Sequence, residues 1–272
     1  APLGSEESSI YQGVRLTAQR ILEGSPRRTR LHVFVDAQFA GSLRDEWQTA
    51  GRLDQEIFVY DNNVAAPYVA EDPSSRLLDQ AGVLRSPWLL WMREALRKRA
   101  VDVVHFCCHG YLSRGRGALL FAQSPLDRSD RYLAGPVGMV ELQTFLTQVG
   151  AWSSAFSSVS DNFSEPGLRA LADELAQNRP GPMLMHNMRV DPGASALAAG
   201  YHFLFANTPQ PAPRSAALFM YCQPYLSVEA PPAPGPWPRS RGTGPAFAEL
   251  ARNVPQQTQA ARSLDASPLD PL

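Results

Sequence analysis

Six consecutive residues, His105-Phe106-Cys107-Cys108-His109-Gly110, bring two imidazoles and two thiols to the end of an apolar run that starts at Val101. Side chains alternate faces along a strand, so His105, Cys107 and His109 share one side. Gly110 reads as the residue where the strand ends and the backbone turns, leaving His109 at the rim. An imidazole at the rim of a parallel sheet is placed for general-base work. His105, deeper in the run, reads as a core histidine. Cys107 and Cys108 lie inside the apolar stretch, where a thiol behaves as a small inert hydrophobe. A metal centre built from His105, Cys107, His109 and the distant His186 lacks any C-x-x-C-like spacing, so no metal is expected. Beyond His109, Ser113-Arg114-Gly115-Arg116-Gly117 is a basic turn, with Arg114 a candidate contact for an acidic peptide.

The elements that must hold these groups alternate. Leu31–Val35 and Ile57–Tyr60 read as short strands, with helix-compatible spacing from Leu43 to Leu53 between them. Asp36 follows the first strand and suits either a helix cap or a place on the sheet edge. Ser86-Pro87 opens a helix, with serine at the N-cap and proline at the first turn. Further strands are expected at Val101–Cys107, Ala118–Ala122, Ala151–Ser158 and Met183–His186. Helices are expected from Met139, from Ser164 and from Asp191-Pro192. Alternation of this kind predicts an α/β fold with a mostly parallel sheet covered on both faces. In such sheets the chemistry sits beyond the strand C-termini.

The 272 residues carry a net charge of −1, which favours neither a nucleic acid nor an anionic membrane as partner. No apolar run reaches the length of a membrane span, and no secretory signal pattern is visible. Three cysteines suggest reduced thiols and a cytoplasmic setting. Arginine far outnumbers lysine, a bias that suggests a GC-rich bacterial genome. No G-x-G-x-x-G, P-loop or G-x-S-x-G motif is present, so no cofactor is expected. Three segments are anticipated: a lead-in over 1–25, an α/β domain over 26–228 and a proline-rich, largely disordered tail over 229–272.

The stretch Val101-Asp102-Val103-Val104-His105-Phe106-Cys107-Cys108-His109-Gly110 resembles the histidine motif of CHAT domains, relatives of caspases and separase. The resemblance covers about Leu31 to Ala206 and implies a caspase-like three-layer sandwich. It implies that His109 is the catalytic histidine. The family's second motif, an apolar strand ending in A-C-x-S or similar, matches Ala151-Trp152-Ser153-Ser154-Ala155-Phe156-Ser157-Ser158-Val159-Ser160. Ser158 then stands where the nucleophilic cysteine belongs, with Ser157 and Ser160 beside it as binding candidates together with Gly110. A serine hydroxyl ionises far less readily than a thiol and needs a well-held base in contact. The resemblance therefore implies a catalytically inactive module of a larger bacterial protein that binds a peptide or a protein. The alternative is an active peptidase using His109 with Ser158 or another thiol. A small-molecule or nucleotide sensor has only fold analogy behind it.

Overall fold

The computed structural model describes residues 5–24, 29–61, 84–96, 99–122, 134–159, 161–206, 208 and 210–221. The expected proline-rich tail over 229–272 lies outside them, as does Ser160. The chain is mixed α/β. Helix α1 (Ser5–Gly24) precedes strand β1 (Leu31–Val35), helix α2 (Ala37–Thr49) and strand β2 (Ile57–Asp61). Helix α3 (Pro87–Ala95) leads to β3 (Val103–Ser113), β4 (Arg116–Ala122) and β5 (Ala134–Gly138). Then come α4 (Met139–Gln148), β6 (Ser153–Ser158), α5 (Ser164–Asn178), β7 (Met183–Asn187), α6 (Ser195–Phe205) and β8 (Leu218–Tyr221).

Strands β1 and β2 form a parallel pair of their own, and the other six form one sheet in the order β5-β4-β3-β6-β7-β8. Its centre, β3-β6-β7, is parallel, while β4, β5 and β8 run antiparallel at its flanks. The expected parallel sheet is thus its middle. Strand β4 is antiparallel to β3 because the two-residue connection between them can join only antiparallel neighbours.

Local chemistry places the helices. The Asp36 carboxylate accepts from the Gln38 amide at 3.0 Å and caps α2, so the capping alternative for this residue is the one realised. At the start of α3, Glu141 Oε1 accepts from the amides of Arg85 (2.7 Å) and Ser86 (2.5 Å). One carboxylate of α4 therefore fixes the entry to α3. Residues anticipated as a lead-in form the whole of α1, which packs on α6.

Two apolar layers cover the sheet. Phe106, Phe156 and Met185 pack with Leu168, Leu171 and Leu175 of α5 and with α4. On the opposite face Ala155 and Leu184 pack with Leu197, Tyr201 and Leu204 of α6. Alternation along β3 sends Phe106, Cys108 and Gly110 toward α5 and His105, Cys107 and His109 away from it.

Gly110 does not end its strand. Strand β3 runs on to Ser113 and turns through Arg114 and Gly115, both left-handed (φ 51° and 79°), into β4. That is the two-residue loop that suits the twist of a hairpin. The role of Gly110 is close approach. A Cβ there would lie 2.2 Å from the Ser164 carbonyl oxygen, and one on Gly117 would lie 2.1 Å from the Gly167 oxygen. A Cβ on Gly167 would in turn meet the Tyr111 backbone at 2.5 Å. Helix α5 therefore lies directly on the β3–β4 hairpin, backbone against backbone.

Gly167→Ala tests this packing. Helix propensity alone would make alanine stabilising by about 1 kcal/mol. The clash with β3 reverses the sign, and we expect destabilisation of about 1–3 kcal/mol in thermal or urea unfolding. A variant as stable as the parent would show that α5 stands further from the hairpin.

Candidate functional site

The first rows of β3 and β6 pair in parallel register from Val103↔Ser153 to Cys108↔Ser158. The two strands therefore reach the C-terminal edge of the sheet together. His109 leaves that edge on β3, and Asp161 follows it by three residues after Ser158 on the β6 side. His109 Nδ1 lies 2.8 Å from Asp161 Oδ2. Asp161 Oδ1 accepts from the amides of Phe163 (2.8 Å) and Ser164 (2.6 Å), which ties the carboxylate to the first turn of α5. The Ser164 hydroxyl donates to Asp161 Oδ2 at 2.5 Å and lies 3.3 Å from His109 Nδ1.

The protons follow from this network. An ionised carboxylate can only accept, so Nδ1 of His109 carries a hydrogen, and in the neutral form of the ring Nε2 presents its lone pair. Among the described residues no hydrogen bond reaches that Nε2. Burial by itself would raise the Asp161 carboxyl. The hydrogen bonds from Ser164, Phe163 and His109 outweigh it and hold the group below its ordinary value. The side chains of His109 and Asp161 remain 30% and 22% exposed, so solvent and a ligand can reach them. A carboxylate-oriented imidazole is the arrangement that the base of a hydrolytic triad would need.

The nucleophile half is missing. Ser158 is 1% exposed, and its hydroxyl points to the His186 carbonyl across β7, at 3.5 Å. It lies on the α5 side of the sheet, whereas His109 projects from the other. The anticipated pairing of His109 with Ser158 is therefore not made, because one residue's difference in register sends the two groups to opposite faces. No thiol substitutes. Cys107 contacts Thr17 Oγ1 at 3.3 Å, and burial pushes its thiol up to about 11. Burial raises the Cys108 thiol further, with the neighbouring Cys107 adding to it. Neither supplies a thiolate at neutral pH.

Ser157, anticipated as a binding residue, is instead locked in the core. Its hydroxyl sits between His105 Nε2 (2.9 Å) and His186 Nδ1 (3.2 Å), with no exposed surface. His186 Nε2 reaches Asp191 Oδ2 at 3.2 Å, and His105 Nδ1 reaches the Tyr201 hydroxyl at 2.7 Å. One direction satisfies every group. Tyr201 donates to His105, His105 to Ser157, Ser157 to His186 and His186 to Asp191. Both imidazoles are neutral in this chain. Its Ser–His–Asp segment has the connectivity of a triad, but no substrate reaches a hydroxyl sealed under α6. His105 is a core histidine, as expected, though a polar one. His186, expected to have a structural role, is the hub of the chain.

Arg114 stands five residues past His109 in the hairpin turn, about 17 Å along an extended strand, and does not join the site. Gly110 contributes packing and not contact with a ligand. Asp161 was not singled out from the sequence. Its signal was an acidic residue three positions before the helix starting at Ser164, just beyond a core strand. Among the described residues no group of three or more His, Cys, Asp or Glu side chains is arranged to hold a metal ion. No described helix is long and apolar enough to cross a membrane. No protein-family model, no curated protein and no solved structure matches this chain.

A cavity of about 1110 Å³ opens beside the site. His109, Cys107 and Phe106 line it from β3, Phe34 from β1 and Tyr11 from α1.

The buried chain has a measurable signature. Burial, with the charge of nearby His186, depresses the His105 imidazole from 6.5 to about 3. The unfolded chain then binds a proton that the folded chain refuses. Stability falls as pH drops below about 6.5 and goes on falling to about 3. Burial also lowers His186, although Asp191 opposes the shift, so it acts in the same direction. In urea unfolding between about pH 6.5 and 4.5, His105→Gln should reduce the slope by up to about 1.4 kcal/mol per pH unit. An unchanged slope would mean that His105 is not buried as a neutral group.

Proposed function

We propose that this chain is a catalytically silent, caspase-like domain of the CHAT type that binds an extended peptide or protein segment. The observation that carries the reading is the half-built site. The Asp161–His109 base is assembled and open, while the residue at the nucleophile position is buried on the other face with its hydroxyl held by a backbone carbonyl. The histidine motif and the order of elements support the family. The cavity beside His109 and the 81% exposed ring of Phe163, next to the Asp161 turn, support contact with a partner.

The retained Asp161–His109 pair favours one second reading, an active peptidase whose nucleophile comes within reach of Nε2 when a substrate binds. Probe chemistry separates the two. A fluorophosphonate and an iodoacetamide probe are applied to the chain and to a His109→Ala variant. The silent-module reading expects labelling of Ser158 and the cysteines to be negligible and equal in both. Labelling that depends on His109, or turnover of a peptide library that His109→Ala abolishes, would overturn it.

A sharper case is Ser158→Cys, which restores the family's residue. Because the side chain faces α5, the new thiol should react with iodoacetamide at least about 100-fold more slowly than a free cysteine and yield no peptidase activity. A fast thiol, or a gain of activity, would place position 158 beside His109 after all.

A further inference from the structure

The two sheets face each other across an open seam. Strand β1 pairs only with β2 along one edge, so its other edge is unpaired among the described residues. Strand β3 pairs with β6 along one edge, but along the other it pairs with β4 only from His109 to Ser113. Residues Val103–Cys107 therefore also present an edge that no described strand pairs with. The cavity lies between these two edges: Leu31–Asp36 line one side and Val101–His109 the other. Unpaired strand edges buried in a protein leave backbone donors and acceptors without partners, and they are the usual template for an added strand.

The walls above and below the seam are apolar. Phe34, Phe106 and Trp88 line it on one face of the sheets, and Tyr11, Val14 and Ile21 of α1 on the other. A strand lying there would bury both rows of its side chains, which calls for an apolar sequence. The volume, about 1110 Å³, lies just above the usual range for ligand sites, roughly 300–1,000 Å³. The end where β1 and β3 begin is charged. Arg30 and Arg99 line it, both exposed and without an ion pair among the described residues, against one carboxylate, Asp102. His32, between them and the aromatic rings of Phe58 and Tyr60, feels both guanidinium charges.

We propose that this seam receives an extended, predominantly apolar segment of a partner protein, about the five residues that β1 contributes, which adds as a strand between β1 and β3 and sets an acidic group against Arg30 and Arg99. This rests on the reading of the chain as a peptide-binding module and names the peptide's class and place. The main chain of the partner supplies the hydrogen bonds that both edges lack. The apolar walls select valine, isoleucine and aromatic side chains, and the two arginines set the direction.

The test uses the intact chain and a fluorescein-labelled hexapeptide, Val-Thr-Ile-Val-Phe-Glu, in fluorescence anisotropy. Two controls carry N-methyl groups on alternate amides or end in Lys. Saturable binding is expected, weakened at least about tenfold by N-methylation and by the Lys end, since each removes hydrogen bonds or an ion pair. The double variant R30E/R99E, altered only at exposed positions, should reverse the preference and bind the Lys peptide better. Hydrogen exchange should show new protection at amides of Leu31–Val35 and Val103–Cys107 on binding.

Absence of binding, equal binding of the N-methylated peptide, or an unreversed preference would overturn the proposal. Equal binding together with displacement by laurate would make the cavity a site for small amphiphiles instead. Cleavage of the bound hexapeptide would sink the silent-module reading while leaving the seam as the place of binding, so the two failures are distinguishable.

Discussion

Helix α5 sits on the β3–β4 hairpin with no side chain between the backbones, and the rest of the site depends on that contact. Three glycines make it possible: Gly110 and Gly117 on the strands and Gly167 on the helix. Because the helix lies so close, its first turn arrives at the rim beside His109. Asp161, which holds that turn through two amides, is then in place to hold the imidazole as well. The same carboxylate thus closes a helix end and orients a base. The glycines make no contact with any ligand, yet they set the geometry of the one open imidazole among the candidates.

The structure also separates two serines that adjoin in sequence. Ser157 and Ser158 are consecutive on a strand, so they face opposite layers. Ser157 completes a chain of hydrogen bonds from Tyr201 to Asp191 under α6, a buried polar network in which every member has a partner. Ser158 turns into the layer under α5. Neither meets His109: Ser158 lies on the other face, and Ser157, though on the same face, is sealed between His105 and His186. A triad needs three groups on one side of one edge, and here the base and the acid meet while the hydroxyls are used for packing and cohesion.

Much of the architecture was legible in the chain. The alternation of apolar strands with amphipathic helices, the helix start at Pro87, the helix beginning at Ser164 and the core strand at Met183 all rest on local periodicity and end signals, although the Ser86 side chain makes no cap hydrogen bond and Glu141 holds that helix start instead. These are properties of a few neighbouring residues, so they can be read without knowing the fold. His109 was likewise legible, as an imidazole closing the apolar part of its strand, although the strand itself runs on to Ser113. Gly110 was read for its conformational freedom, when what matters is the absence of a Cβ. That distinction concerns a helix more than fifty residues further on and has no local trace.

By itself the sequence determined most of the elements and the strand that carries the histidine. The tertiary structure alone decided which groups meet. Asp161 reaches His109 only because two parallel strands end in register and a helix closes over them. Ser158 misses it because the pleat sends odd and even residues to different layers. The seam between β1 and β3 is likewise invisible in either strand, since an edge is unpaired only relative to its neighbours. Contacts between residues far apart along the chain are set by packing, and local patterns carry no information about them.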